Sequence, residues 1–111
     1  MYKIYDGHRD SRLWFSDELD ANNYKGYHEK YSAVSKENSH FIAVCRLFEL
    51  PGTLISRGLI TTDIYFDIFN PSPFWYKAKP IIEGMRETRP QIYKNFENLS
   101  ERRANWKEKN Q

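Results

Sequence analysis

The stretch from Phe41 to Phe69 is the most apolar part of an otherwise polar chain, and its pattern limits the folds that the chain can adopt. Polar residues recur in it at spacings of three and four, as they do along one side of an α-helix. These residues are Arg46, Glu49, Thr53 and Arg57. The other side is apolar and comprises Phe41, Val44, Cys45, Phe48, Ile55 and Leu59. Because the polar positions keep the same phase on both sides of Pro51, the pattern predicts one helix, kinked at the proline.

The end of this helix and the start of the next are also marked in the sequence. Gly58 directly follows Arg57, which is the order expected for a last-turn cation and a C′ glycine. A short second helix is predicted to start at Thr61 or Thr62, with Asp63 in its first turn.

An aromatic series that precedes the apolar stretch leaves two interpretations open. Its members follow the 3.5-residue repeat of a coiled-coil seam, and they are Tyr24, Tyr27, Tyr31, Val34, Asn38, Phe41, Cys45 and Phe48. One interpretation is a single helix over 24–57 that pairs with a second copy of the chain, with Asn38 fixing the register. The other is a break near Ser35, which becomes an N-cap with Glu37 in the first turn, so that 24–34 folds back onto a monomer.

Taken together, the patterns predict an all-α protein with one small domain of four to five helices. The predicted ranges are 11–19, 24–57, 62–69, 73–88 and 90–107. Ser72 is the expected N-cap of the fourth helix, Pro80 is expected to kink it, and Arg89-Pro90 is expected to separate it from the last helix. Residues 1–10 are interpreted as an N-terminal arm and 108–111 as a frayed tail.

Charge and cysteine content narrow the class of protein. A formal net charge of +2 is small for a nucleic-acid-binding domain, and the single cysteine excludes an internal disulfide. A reducing, cytoplasmic location fits that cysteine usage. No run approaches the roughly 18 apolar residues of a membrane span, so no membrane span is expected in this chain.

No motif indicates catalysis, a metal site or a cofactor. His28-Glu29 begins like a helical zinc motif, but Ser32 stands where the second histidine would be. Asp63 and Asp67 lie four residues apart, a spacing at which two carboxylates could hold a metal. Asp63 is better explained as a negative charge at a helix start, and Asp67 as a solvated surface residue. We therefore predict no catalytic, cofactor-binding or metal-binding residues. The candidate interaction residues are Tyr24, Tyr27, Tyr31, Asn38, Trp75, Arg86 and Trp106.

The leading functional hypothesis is a non-enzymatic helical interaction module that forms a homodimer and binds an unknown protein partner. The alternative is a small regulatory protein that binds nucleic acid or a nucleoprotein complex. A third hypothesis is an enzyme with an unrecognised site. A large apolar two-fold contact would favour the first, a clustered basic face the second, and a deep pocket with converging ionisable groups the third.

An ordered series of weak motifs resembles a known family. The motifs are Gly58-Leu59-Ile60, Asp63, Trp75, Pro80, Arg86 and Asn95-Phe96-Glu97-Leu99, within residues 41–103. They are similar to a bacterial domain-of-unknown-function family, number 4760. The resemblance implies a helical fold and no established chemistry, and it provides no catalytic residue. In many members the domain follows a membrane helix, whereas the first forty residues here are polar.

Any nucleic-acid binding is expected to be weak and non-specific. Basic residues of the C-terminal half alternate with glutamates, which is typical of a solvated helix face rather than of a one-sign stripe. Few phosphates would then be neutralised together. Fluorescence anisotropy at physiological salt measures this, and a sub-micromolar dissociation constant for a defined sequence would refute the expectation.

Overall fold

The computed structural model describes residues 9–109, and in this range the chain forms six α-helices and no β-strand. The helices are α1 (Arg9–Asp17), α2 (Tyr24–Lys30), α3 (Lys36–Ser56), α4 (Thr62–Ile68), α5 (Ser72–Met85) and α6 (Lys94–Lys109). The predicted all-α class is confirmed. Residues 1–8 of the predicted arm lie outside the described range, and α1 begins inside that arm at Arg9. Of the predicted tail, α6 includes 108 and 109.

The predicted count of four to five helices is too low because the range 24–57 contains two helices. Between them the backbone becomes extended at Tyr31, with φ −120° and ψ 119°. Ser35 then caps α3, since its side-chain oxygen accepts a hydrogen bond of 3.1 Å from the Asn38 N–H. The single helix over 24–57 is therefore wrong, and the break near Ser35 is correct. A capped start satisfies an N–H group that would otherwise lack a partner.

The central helix, α3, continues through Pro51, as the in-phase polar stripe predicted. It ends in a Schellman motif around Gly58, whose φ is +72°. The Gly58 N–H donates to the Ile55 carbonyl at 3.0 Å, and the Leu59 N–H donates to the Leu54 carbonyl at 2.8 Å. The predicted C′ role of Gly58 is thereby confirmed. Thr61 caps α4 through the Ile64 N–H at 3.3 Å.

Three boundaries around α5 differ from the prediction. Ser72 is not the N-cap: Pro71 occupies that position, and the Asn70 side chain accepts a hydrogen bond of 3.1 Å from the Ser72 N–H. Helix α5 ends at Met85 rather than at 88, and α6 begins at Lys94 rather than at 90. The chain between them is a series of turns that closes at Tyr93, whose left-handed φ of 56° cannot belong to a helix.

Aromatic side chains form the centre of the fold. Helix α3 packs against both α1 and α6, while α2 packs on α5 and both α4 and α5 pack on α6. The fully buried ring of Phe48 lies 5.1 Å from the Phe74 ring and 5.2 Å from the Phe96 ring. Phe15 of α1 stacks on Phe41 at 5.6 Å. These offset and tilted pairs are the geometries that aromatic rings prefer.

The predicted apolar face of the central helix is buried, with one exception. Phe41, Val44, Cys45 and Ile55 are all buried beside Phe48. The exception is Leu59, which was predicted to share that face but is 67% exposed. It follows the left-handed Gly58, where the chain leaves the helix direction, so the helical phase no longer places its side chain.

Replacing Phe48 by alanine should lower the free energy of unfolding by about 3–5 kcal/mol, because the change removes a fully buried ring from between α5 and α6. Chemical denaturation followed by circular dichroism measures the loss. Tyr76→Ala is the matched control, since Tyr76 is 65% exposed, and it should change stability by about 0.5 kcal/mol or less. Equal losses in the two variants would contradict the central role of Phe48.

Candidate functional site

The seven candidate interaction residues fall into three places in the structure. Four of them line one cleft between α2, α3 and α5, namely Tyr24, Tyr27, Tyr31 and Asn38. Trp75 and Arg86 lie together near the start of α6, and Trp106 lies against α4. The side chains of Tyr27, Tyr31 and Trp75 are buried within the chain's own core.

Asn38 connects α2 to α3 within one chain. Its side-chain oxygen accepts a hydrogen bond of 2.7 Å from the Tyr27 hydroxyl. Its side-chain nitrogen donates to the Ala33 carbonyl at 2.9 Å. Burial raises the pKa of Tyr27 above its usual range, which keeps that hydroxyl protonated as the donor. The polar position in the aromatic series therefore fixes the turn around Ser35.

Arg86 holds the turns between α5 and α6. Its Nε donates to the Ile92 carbonyl at 3.1 Å, and its Nη1 lies 3.3 Å from both carboxylate oxygens of Glu97. The guanidinium also lies 5.7 Å from the Trp75 ring, within the range of a cation–π contact. The Arg86 and Glu97 side chains are only 15% and 22% exposed. These contacts indicate a structural role for Arg86 and Trp75.

Glu49 has a structural role that the sequence did not indicate. Its place in the polar stripe of the central helix suggested a side chain that faces solvent. Its carboxylate accepts 2.7 Å and 3.2 Å hydrogen bonds from the Phe96 N–H and the Asn95 side chain. The Phe96 N–H belongs to the first turn of α6, where it has no partner within the helix. Gly52, one turn further along α3, permits this approach, because a Cβ there would lie only 2.8 Å from the Asn95 carbonyl carbon.

The outer face of α4 is an apolar surface that no motif in the sequence indicated. Tyr65 and Phe66 point inward and are buried, whereas Ile64 and Ile68 are 67% and 61% exposed. Residues four apart lie on the same side of a helix, so Ile64 and Ile68 are neighbours on the outer face. Exposed Leu59 lies in the connection just before α4. We call these three residues, Leu59, Ile64 and Ile68, the α4 face.

Trp106 holds α4 in place from the side of α6. Its indole N–H donates to the Asp63 carboxylate at 2.6 Å, and its ring lies 5.7 Å from the Phe66 ring. The Arg103 guanidinium lies 5.1 Å from the Trp106 ring. Arg103, one of the basic residues of the C-terminal half, therefore packs against Trp106 within the chain. The apolar α4 face is therefore presented on a helix that is fixed from behind.

The described residues offer little that points to catalysis. Within 9–109 no three histidines, cysteines or acids come together in a way that could hold a metal ion. Burial raises the pKa of the Cys45 thiol well above its usual range, which makes it a poor nucleophile. The Ser11 hydroxyl lies 2.8 Å from His40 Nδ1, and that imidazole stacks on Trp14.

Within residues 9–109 no helix has the length and apolar content that crossing a membrane requires.

Over residues 9–109 the fold is a small all-helical domain in which α4 presents an open apolar face. A family model, described as Domain of unknown function (DUF4760), matches residues 2–103, so the chain belongs to this family. The resemblance expected from the motifs of 41–103 is confirmed, and the match extends it through the aromatic series to the N-terminal region. No curated protein and no solved structure shows a significant match to the chain.

Glu49→Ala should lower the free energy of unfolding by about 1–3 kcal/mol, because it leaves the Phe96 N–H without its charged acceptor. Glu49→Gln keeps an oxygen acceptor and should lose less. Glu101→Ala, at an exposed position of α6, is the control and should be nearly neutral. Chemical denaturation measures all three, and a loss as large for Glu101→Ala as for Glu49→Ala would argue against the cap.

Proposed function

We propose that this domain is a non-enzymatic interaction module that self-associates through the α4 face. The observation that supports the proposal is the pair Ile64 and Ile68, each about two-thirds exposed on a helix whose other side is already packed. A surface helix of a monomer normally presents polar residues outward. A contiguous exposed apolar surface is more typical of an interaction site.

The occupant that fits the α4 face best is a second copy of the chain. A two-fold contact places the same apolar row of each copy against the other. Charged groups near α4 also suit this arrangement, because Asp67 lies between the two isoleucines in the sequence, and Arg102 and Lys109 lie with Asp63 around a cleft between α4 and α6. In a two-fold pair, acids of one copy can approach bases of the other.

The aromatic series that first suggested a dimer does not support this contact. Most of that series is buried between the chain's own helices, including Tyr27, Phe41 and Phe48. The proposed dimer therefore uses a different surface from the one that the 3.5-residue repeat indicated. It needs no opening of the α2–α3 pair.

The α4 face is small, so the dimer should be weak. Each aliphatic side chain contributes about 1.5–3 kcal/mol when it is fully buried, and both copies would contribute three. Association itself costs an estimated 4–15 kcal/mol. The gain and the cost are of the same order, so we expect a weak dimer with a dissociation constant of roughly 1 μM to 1 mM.

Ile64→Lys and Ile68→Lys should each shift the protein toward the monomer, because they place a charge in the centre of the proposed contact. Sedimentation equilibrium over a range of concentrations measures the change against the 13.3 kDa monomer. Val34→Lys is the matched control: Val34 is 94% exposed but lies on the α2–α3 connection, so its dimer should persist.

Two outcomes would overturn the proposal. One is a wild-type protein that stays monomeric up to about 1 mM. The other is a dimer that all three variants retain, which would place the contact elsewhere on the surface. Circular dichroism of each variant establishes that any loss of the dimer is not a loss of the fold.

A further inference from the structure

A second feature, independent of the α4 face, is a cleft of about 200 Å³ between α2, α3, α5 and the turns before α6. We call it the tyrosine cleft, because four tyrosines contribute to its walls. Two arginines and one histidine also line it, and no aspartate or glutamate does. In a chain with 17 basic and 15 acidic residues, a lining with two arginines and no carboxylate favours a local positive potential. Low-dielectric walls strengthen such a potential.

The two arginines of the cleft, Arg46 and Arg89, have free guanidinium groups. Across the described range neither side chain has a hydrogen bond or an ion pair in the structure. The nearby carboxylate of Glu49 is occupied by the first turn of α6. Arg86, by contrast, is bonded to Glu97. The arginines at the cleft thus differ from the arginine that holds the fold.

Tyr93 supplies a hydrogen-bond donor to the same cleft. Its backbone has the left-handed φ of 56°, which is uncommon for a bulky residue. Burial, with a contribution from Cys45, raises the pKa of Tyr93 to about 12, and the Arg46 and Arg89 guanidiniums oppose that shift. The hydroxyl is therefore protonated at neutral pH. The Tyr27 hydroxyl is already donated to Asn38, whereas that of Tyr93 has no hydrogen-bond partner among residues 9–109.

From this geometry we propose that the tyrosine cleft is a binding site for a phosphate group, held by Arg46 and Arg89 and by the Tyr93 hydroxyl. Guanidinium groups match the oxygens of phosphate in geometry and charge. A volume of about 200 Å³ is below the roughly 300–1,000 Å³ of sites for drug-sized ligands and several times the roughly 30 Å³ of one water. The site therefore suits free phosphate or the phosphate of a small monoester.

The tyrosines of the cleft provide a way to distinguish free phosphate from the phosphate of a monoester. The partly buried ring of Tyr24, backed by the buried side chains of Tyr27, Tyr31 and Met85, provides an apolar surface next to the arginines. A planar group attached to the phosphate would contact that surface, whereas free phosphate would not. Phenyl phosphate should therefore bind more tightly than inorganic phosphate if the natural ligand is a monoester. Equal affinities would assign the site to phosphate alone.

The test is a titration of ¹⁵N-labelled protein with inorganic phosphate and with phenyl phosphate, at constant ionic strength set with chloride. We expect saturable shifts at Arg46, Arg89 and Tyr93. Arg46→Gln and Arg89→Gln should each weaken binding by about tenfold or more, since each removes a charged contact. Tyr93→Phe should weaken it less, because the ring stays and only one donor is lost.

Controls separate this proposal from general charge effects and from the dimer. Arg57→Gln removes an exposed cation outside the cleft and should bind phosphate as the wild type does. Ile64→Lys lies on the α4 face and should also bind normally, whatever its oligomeric state. Unchanged thermal unfolding of the Arg46 and Arg89 variants shows that they fold.

Two results would overturn the proposal. The first is the absence of saturable shifts up to about 10 mM of either probe, a concentration well above a millimolar dissociation constant. The second is equal weakening by Arg57→Gln and by the two cleft variants, which would indicate diffuse attraction of anions rather than a site.

Discussion

The bond between the Glu49 carboxylate and the first turn of α6 determines how the two longest helices of the described chain meet. The N–H groups in the first turn of α6 have no acceptors within the helix, and Glu49 supplies one acceptor from α3. The approach is close because Gly52 has no side chain at the point where the Asn95 backbone passes. With α3 and α6 fixed in this way, the Phe48 and Phe96 rings come within 5.2 Å. Helices α4 and α5 then pack on α6.

Hydrogen bonds to otherwise unpaired polar groups also determine how α2 and the start of α3 are arranged. Ser35 caps α3, and Asn38 bonds both the Tyr27 hydroxyl and the Ala33 carbonyl. Helix α2 consequently folds back onto α5, where Gly84 leaves room for the Tyr24 side chain. This arrangement creates the tyrosine cleft. It also hides most of the aromatic series from any second copy of the chain.

Two of the surfaces that residues 9–109 leave exposed after these helices have packed differ in chemistry. The α4 face is apolar and is supported from behind by Trp106 and its bond to Asp63. The tyrosine cleft is basic and aromatic, and its two guanidiniums have no hydrogen bond or ion pair within residues 9–109. The first suits another protein surface and the second suits a small anion. They lie on different elements, so the two proposed roles are independent of each other.

The sequence by itself determined the helical class, the passage of α3 through Pro51, the Gly58 terminus, the start of α4 at Thr61 or Thr62 and the burial of Phe48. Each of these follows from periodicity or from the chemistry of a few adjacent residues. Tertiary structure decided what the sequence left open or misplaced. The 3.5-residue repeat of Tyr24 to Phe48 fits one long helix and two separate helices equally well. The packing of α2 on α5 is compatible only with two helices. Glu49 sits in a polar stripe that indicates solvent, but its partner is 47 positions away in the chain, and no local pattern reports so distant a hydrogen bond.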